Sequence, residues 1–177
     1  MPSRPIGSAV GALAGLVFVL INAGAVPGST YWRVAAVLAF LATAYFVVLR
    51  GPLVDRAAPS RTALRIYGIS VTAMVVAIPL GANIVTNVLD RPDAVLIWVV
   101  FVVGVHFLPF PAAFELPVFR WLAAALVLAS ASGAILLQVT EDDVAAGWTG
   151  VIAGFVLLAF SAAGPSLSAT SRAPRPA

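Results

Sequence analysis

The sequence predicts an all-α protein, a bundle of six transmembrane helices with both termini in the cytoplasm. Three observations support this fold class: an apolar composition, apolar runs of bilayer-spanning length, and an uneven distribution of arginine between the two sides of the predicted membrane. Of the 177 residues, 62% are hydrophobic and 10% are charged, whereas about a quarter of an ordinary soluble domain is charged. A water-soluble fold of this size cannot hide that much apolar surface.

The apolar runs give the number of spans. A helix needs about 20 apolar residues to cross about 30 Å of hydrocarbon, and six stretches approach or exceed this length. We therefore expect one transmembrane domain over residues 1–165. Because Ser, Pro and Arg are frequent at the end of the chain, we expect a disordered cytoplasmic tail over residues 166–177. The expected spans are residues 6–26, 31–49, 65–89, 94–108, 118–139 and 144–164, of which the fourth is the shortest.

Residues that commonly cap helices stand in front of four of these spans. Side-chain oxygens at such positions accept hydrogen bonds from first-turn N–H groups, which have no partner inside the helix. The Thr-x-x-acid run before the sixth span is the clearest example, and its acids suit the positive end of the helix dipole better than they suit a cation site. The candidate caps are Ser29 or Thr30, Ser60, Asp90 with Asp93, and the run Thr140, Glu141, Asp142 and Asp143.

The arginines predict the orientation. If the N-terminus is cytoplasmic, all ten arginines except Arg33 and Arg91 fall on the cytoplasmic side, as the positive-inside rule requires for short loops. The chain is then a multi-pass protein of the plasma membrane, with the lipid bilayer as its partner. The alternative for the first span is a secretory signal cleaved near Ala23-Gly24-Ala25. We favour a retained first helix because the remaining spans need no separate export signal.

Glycines mark two helix faces for close packing. Gly7, Gly11 and Gly15 recur every four residues in the first span, and Gly150 and Gly154 do so in the sixth. Because lipid is as apolar as leucine, helices in a bilayer associate where small residues allow close approach. Each face is therefore expected to dock another helix. The sequence leaves open whether that helix lies in the same chain, which we favour, or in another copy of a homo-oligomer.

Four amides are candidates for a polar layer near the outer ends of the spans. Asn22, Asn83, Asn87 and Gln138 all lie within about 10 Å of an outer helix end, at 1.5 Å per residue. In one interpretation each amide bonds a backbone carbonyl or a neighbouring helix, an interaction worth about 0.6 kcal/mol. In the other, the amides line an outward-facing pocket for water or a small molecule. We favour the first interpretation.

One face of the third span is polar. Thr72, Pro79, Asn83 and Thr86 follow one another at steps of seven, four and three, so they share one side of a helix. Asn87 lies beside them. Polar residues inside the spans are few, so their placement carries more information than their number.

The only histidine, His106, stands in a stretch that cannot remain helical. Pro109 and Pro111 follow it closely, and each lacks the N–H that would bond a carbonyl one turn earlier. In a structural role the ring donates a hydrogen bond to such a carbonyl or lies at the inner headgroups. In a functional role it titrates near neutrality as a proton site paired with Glu115 across the break. We favour the structural role, and the sequence leaves open whether the fourth span ends at Leu108 or continues as a re-entrant segment.

The same stretch carries a resemblance to known proteins. The segment from Gly104 to Pro109, with the letters GVHFLP, precedes an apolar span and a last helix containing Trp148. This arrangement resembles small bacterial, in particular actinobacterial, integral membrane proteins with a G-[LV]-H-F-[LI]-P segment before their penultimate helix. The resemblance covers the last three spans, and Phe110-Pro111 replaces the Leu-Ala that often follows in those proteins. Because they have no established activity, the resemblance implies a polytopic membrane protein and no catalytic or binding residue.

The sequence lacks residues that several kinds of catalytic and metal-binding site require. The chain has no cysteine, which excludes disulfides, thiolate nucleophiles and Cys-based zinc sites. It also has no Walker lysine and no H-E-x-x-H or G-x-S-x-G motif. We therefore expect a non-enzymatic membrane protein, capable of forming a homo-oligomer, with no metal, cofactor or nucleic-acid partner. The alternatives are a small transporter or channel subunit that uses the amides and His106, and a lipid- or quinone-linked membrane enzyme.

Overall fold

The computed structural model describes residues 6–49, 59–140 and 144–170. All the regular secondary structure of these residues is helical, and six helical segments are long and apolar enough to cross a membrane. The predicted helical fold class and the number of spans are therefore confirmed. The α-helices are α1 (Ile6–Asn22), α2 (Ser29–Thr43), α3 (Arg61–Asn87), α4 (Val95–His106), α5 (Phe110–Phe114), α6 (Val118–Thr140) and α7 (Val144–Thr170).

Some helix ends differ from the predicted bounds. The π-helical segment Ala44–Leu49 continues α2, and a 3₁₀ turn at Pro92–Ala94 leads into α4. Helix α4 ends at His106, and the fourth span, Pro92–Phe114, continues through a turn into the short helix α5 instead of ending at Leu108. Helix α7 runs to Thr170, into the segment predicted as a disordered tail, and residues 171–177 of that segment lie outside the described residues.

Ser60 is the predicted cap that the structure confirms. Its Oγ accepts a hydrogen bond from the N–H of Ala63 at 3.0 Å, and α3 accordingly begins at Arg61. The prediction for α2 is wrong, because that helix begins at Ser29 itself. Its N-cap is Gly28, whose φ of 74° lies in the left-handed region that glycine adopts without strain.

The two other candidate caps have different outcomes. At the start of the fourth span the N-cap is Arg91, without a side-chain cap, so the prediction for Asp90 is wrong. Asp93 lies in the first turn, where it pairs with Arg91 at 3.4 Å. Thr140 is the last residue of α6, and its Oγ1 donates to a backbone carbonyl one turn earlier at 2.8 Å. The acids at 141–143 lie outside the described residues.

The helices are arranged around α7. Helix α1 packs antiparallel along one side of α7, α6 packs along another, and α4 contacts both α6 and α7. Helix α2 packs on α1 and α7, whereas α3 packs on α4 and α5 at a different edge. In the most apolar part of α7, 61% of the residues are buried, against 6% in α3. Helix α7 is therefore the core helix and α3 the most peripheral one.

The apolar core has two main clusters. One surrounds Val19, Val151 and Leu158 where α1 meets α7, and the other surrounds Val100 and Leu126 where α4 meets α6. In a bilayer these side chains exchange contacts with lipid for contacts with protein. Close packing, rather than removal of apolar surface from water, is therefore what favours this arrangement of helices.

Close approach occurs where a glycine faces another helix. A Cβ at Gly15 would lie 2.6 Å from the carbonyl oxygen of Gly154, so the backbones of α1 and α7 are in contact. At Gly133 of α6, the space that a Cβ would fill is occupied by Thr149 of α7. At Gly104 of α4, that space is occupied by residues of α6. Glycine therefore sets the spacing at three helix contacts of the core.

Candidate functional site

Polar groups of the spans meet where α3 packs against α4. The two helices are antiparallel, so Ser70 of α3 lies beside His106 at the end of α4, and Ala77 lies beside Trp98. This junction contains the only histidine of the chain. It is therefore the candidate functional site.

Ser70 and His106 form a closed hydrogen-bonded pair. Ser70 Oγ donates to the backbone carbonyl of His106 at 2.8 Å and lies 3.0 Å from Nδ1 of the His106 ring. A serine hydroxyl has a single proton, so both contacts are satisfied when Nδ1 carries the ring proton and donates it to Ser70 Oγ. Nε2 is then the acceptor nitrogen of the ring. The pair thus fixes the orientation of the histidine.

The proline break explains why the His106 carbonyl needs a donor from another helix. On either side of it, the carbonyls of Val105 and Phe107 accept hydrogen bonds from N–H groups three residues further along the chain, at 3.0 and 3.1 Å. The His106 carbonyl accepts from Ser70. The structural role expected for the histidine ring, donation to a carbonyl, is thus performed by the serine hydroxyl, which the ring contacts in turn.

An aromatic cluster surrounds the His106 ring. The ring meets Phe110 edge to face with centroids 4.7 Å apart and lies 4.9 Å from Phe107. Phe107 stacks on Phe119 of α6 at 5.8 Å, and Tyr67 of α3 lies 5.8 Å from Phe110. Each such pair contributes about 0.5–1.5 kcal/mol beyond its buried area. The aromatic cluster, which joins α3, α4, α5 and α6, consists of Tyr67, His106, Phe107, Phe110, Phe114 and Phe119.

A mostly apolar groove of about 240 Å³ lies between α3 and α4. One wall is Trp98, whose Nε1 donates to the carbonyl of Ala77 at 3.1 Å. The indole reaches α3 because Gly81 leaves room for it, and a Cβ at Gly81 would overlap the Trp98 ring. The lining residues include Ser70, Met74, Trp98, Phe101, Val105 and His106.

Glu115 lies apart from this junction. It is exposed, has a φ of 56° in the turn between α5 and α6, and lines a second groove, of about 460 Å³, together with Arg120. Among the described residues, the hydrogen-bonding partner of the His106 side chain is Ser70. The proposed proton pair of His106 and Glu115 therefore stays a prediction that no contact of the structure supports.

The four amides lie on three different helices. Asn22 Nδ2 donates to the backbone carbonyl four residues earlier at 2.7 Å, and a Cβ at Gly150 of α7 would lie 2.6 Å from Asn22. Asn83 and Asn87 are exposed on α3, and Gln138 is exposed on α6. The structure does not bring the four into one layer, because α1 and α3 pack against different helices.

The glycine faces of α1 and α7 meet each other. Four of the five glycines singled out in the sequence lie at this contact, so the helix that each face docks belongs to the same chain. Gly7 lies outside it, since a Cβ there would have nothing within 4 Å. The contacts are Gly11 with Ser161, Gly15 with Gly154, and Gly150 with Asn22.

Sequence reasoning missed two residues of the site, Ser70 and Trp98. A signal for them exists, because Ala63, Ser70, Ala77 and Gly81 recur at steps of seven, seven and four and so form a face of small residues on α3. Such a face leaves space for a bulky neighbour. In the structure this is the face that packs on α4, whereas the polar face of α3 points away from it.

Comparisons with known proteins do not assign the chain to a family. No protein-family model, curated protein or solved structure matches it. Its function must therefore be inferred from the geometry of the spans and of the α3–α4 junction.

Proposed function

We propose that the chain is a non-enzymatic, multi-pass membrane protein that acts as a helical scaffold. A core built on α7 carries two peripheral helices, α2 and α3, whose exposed faces contact other membrane components. The observation that supports this function is the use made of the polar groups that lie against other helices: Asn22, Ser70, Trp98 and Ser130 all bond backbone carbonyls. A transporter or an enzyme needs polar groups that face a shared cavity instead.

The hydrogen bonds of the spans are of two kinds. Between helices, Ser130 Oγ of α6 donates to a carbonyl of α4 at 3.1 Å, while Ser70 and Trp98 join α3 to α4. Within α7, the hydroxyls of Thr149 and Ser161 donate to carbonyls one turn earlier at 2.9 and 2.7 Å. In the described part of the chain no group of three or more His, Asp or Glu residues could hold a metal ion. These features favour a packing role for the polar groups.

The scaffold function can be tested on the purified protein. If the polar groups serve packing, Ser70→Ala lowers the thermal unfolding midpoint in detergent, and proteoliposomes of the parent show the same proton permeability as empty vesicles. Ser132→Ala, the same substitution at an exposed position of α6, is the matched control and leaves the midpoint unchanged. A proton flux that His106→Gln abolishes without changing the unfolding midpoint would contradict the scaffold function and favour a transporter.

We further propose that both termini are cytoplasmic and that the membrane is the plasma membrane. The positive-inside rule supports this orientation, because Arg61, Arg65 and Arg120 lie at one end of the spans and Arg33 and Arg91 at the other.

The natural absence of cysteine makes the orientation directly measurable. Thr30→Cys and Pro92→Cys, both at exposed positions, should react with a membrane-impermeant maleimide on intact cells. Pro59→Cys, exposed at the opposite end of the spans, should react only after the cells are permeabilised. Labelling of Pro59→Cys in intact cells would reverse the orientation.

The groove between α3 and α4 supports a second candidate function, the binding of a lipid-soluble molecule. The groove is mostly apolar and has the His106 ring at one end, where Nε2 can accept a hydrogen bond from a hydroxyl group. Mass spectrometry of the protein extracted in mild detergent tests this function. The second function predicts that a small molecule remains bound to the extracted protein. Val105→Trp fills the groove and should abolish this binding, whereas Leu38→Trp on exposed α2 should not.

A further inference from the structure

The outward side of α3 has the pattern of a helix-pairing seam. Six residues recur at alternating steps of three and four, the 3.5-residue period of two helices that pack along each other. They lie opposite the small-residue face that packs on α4. Ile69 is 60% exposed and Val76 is 56% exposed, so the residues that the structure describes leave both side chains largely uncovered. We call these residues the α3 seam: Ile69, Thr72, Val76, Pro79, Asn83 and Thr86.

Asn83 places an amide of this seam within the hydrocarbon. The midpoint between Arg65 and Asp90, the charged residues that bound the span, lies between residues 77 and 78. At 1.5 Å per residue Asn83 is about 8 Å from that midpoint, and therefore about 7 Å inside a hydrocarbon layer about 30 Å thick. The amide is exposed there. Acyl chains offer it neither a donor nor an acceptor, which is costly for a polar group.

The other amide near a helix contact shows how the fold satisfies such groups. Asn22 donates to a backbone carbonyl of its own helix at 2.7 Å and lies against α7. No hydrogen bond joins the Asn83 side chain to any residue that the structure describes. The seam also contains Pro79, which lacks the N–H that would bond the carbonyl of Val75. The exposed side of α3 thus has an amide that needs a partner, and Pro79 removes from the same side the usual helical donor to the Val75 carbonyl.

We propose that the partner is a second copy of this chain, joined through the α3 seam into a parallel homodimer in which the two Asn83 amides bond each other. The proposal rests on the proposed scaffold function, since it names what the exposed face of α3 contacts. Two copies in one membrane have the same orientation, so a two-fold axis along the membrane normal brings α3 onto α3 in register. An amide is both donor and acceptor and is therefore complementary to itself. A single Asn in a 3.5-residue seam specifies this kind of pairing.

Cross-linking tests the geometry of the dimer. Val76→Cys, in the seam, should form a disulfide-linked dimer when vesicles are oxidised with copper phenanthroline. Leu38→Cys on α2 is the matched control, because its position is 61% exposed but lies on the other peripheral helix, and it should remain monomeric. Equal cross-linking at the two positions, or a ladder of higher oligomers from Val76→Cys, would overturn the proposal.

The role of the amide is tested by energy transfer between copies labelled at Pro92→Cys, as a function of the protein-to-lipid ratio. Asn83→Leu should weaken association about threefold or more, the effect of one interhelical hydrogen bond in a membrane. Asn83→Gln, which keeps an amide, should retain most of the affinity. Gln138→Leu, which removes an exposed amide from α6, should have no effect. Association unchanged by Asn83→Leu would overturn the proposal.

Measurements on the same vesicles distinguish failure of the dimer proposal from failure of the scaffold function. A monomer without proton flux would refute the dimer and leave the scaffold function standing. A dimer with a proton flux that depends on His106 would leave the dimer standing and refute the scaffold function. Since Asn83 points away from α4, the unfolding midpoint of Asn83→Leu at high lipid dilution should equal that of the parent, which shows that the variant is folded.

Discussion

The most apolar stretches of helices α3 and α7 have the same mean hydropathy, 1.9, but the two helices occupy opposite positions in the molecule. Of the most apolar part of α7, 61% is buried, whereas α3 is 6% buried and contacts mainly α4 and α5. The difference lies in where the small residues are. In helix α7, Gly147, Gly150 and Gly154 all face the first span. Helix α3 has one closely packed glycine, Gly81. In this protein close approach, and not apolarity, determines which helix forms the core.

Polar groups follow the same division. The buried hydroxyls of Thr149 and Ser161 in α7 donate hydrogen bonds to carbonyls of their own helix. In α3, Ser70 bonds another helix, and Asn83 faces outward. The polar groups of the core helix α7 therefore bond within their own helix. Those of the peripheral helix α3 attach it to α4 and, as we propose, join two copies of the chain.

Gly15→Leu should cause the largest loss of stability, because it acts at the contact between the two helices of the core. A Cβ alone would lie 2.6 Å from the carbonyl oxygen of Gly154, so α1 must move away from α7. We expect a loss of about 3 kcal/mol or more, the upper end of overpacking effects. The measurement is thermal unfolding in detergent, with Gly7→Leu as the control because a Cβ there has nothing within 4 Å. Equal midpoints for the two variants would refute a packing role for Gly15.

Gly81→Val should loosen α3 while leaving the core intact. The new side chain overlaps the Trp98 ring, which must give up its hydrogen bond to Ala77. The expected loss is up to about 3 kcal/mol, with increased proteolysis of α3 but not of α7. Gly68→Val is the control, because it makes the same change of helix propensity in the same helix. Nothing lies within 4 Å of a Cβ at Gly68. If both variants were equally stable, Trp98 would not hold α3 in place.

Ser70→Ala should have a smaller but specific effect. It removes the donor to the His106 carbonyl and the partner of Nδ1, and an unsatisfied buried group costs about 1–2 kcal/mol. The control Ser132→Ala, at an exposed position of α6, should change stability by less than about 0.5 kcal/mol. Chemical unfolding in mixed micelles measures both, and a Ser70→Ala protein as stable as Ser132→Ala would show that the pair of Ser70 and His106 contributes nothing.

His106→Gln should have the smallest effect of the series. Glutamine retains an N–H that can donate to Ser70 Oγ, so the loss is confined to the ring contacts with Phe107 and Phe110 and amounts to about 1 kcal/mol. His106→Ala loses both interactions and should be less stable than His106→Gln. The same unfolding assay distinguishes them. The reverse order of stability would mean that the ring is held by something other than Ser70.

Hydropathy and helix-start chemistry were sufficient to predict the number of spans and one cap, Ser60. They could not predict which helices are neighbours, because all six spans are apolar and lipid competes equally for each of them. The polar face of α3 was visible at Thr72, Pro79 and Asn83, but nothing in its periodicity says whether it points toward the bundle or away from it. That direction is set on the opposite face by Gly81 and by Trp98, 17 residues away.

The site was predicted in part for a similar reason. The proline break identified His106 as a residue with an unusual backbone environment, and the structure gives it a hydrogen-bonding partner. The partner, Ser70, comes from a helix 36 residues earlier. In the sequence Ser70 is visible only as one of the small residues on a face of α3, and its hydrogen bond to His106 could not be predicted because it depends on the antiparallel packing of α3 on α4.

The accessibility of spin labels to dissolved oxygen, which concentrates in the hydrocarbon, tests the contrast between α3 and α7 most directly. Labels are attached at single cysteines along each helix, in vesicles dilute enough to separate the copies. We predict low accessibility on α3 at Ser70 and Ala77 and high accessibility at Val76, while α7 is shielded at Val151 and accessible at Ile152. Equal average accessibility of the two helices, or minima on α3 at Val76 instead of Ser70 and Ala77, would contradict the central position of α7 and the peripheral position of α3.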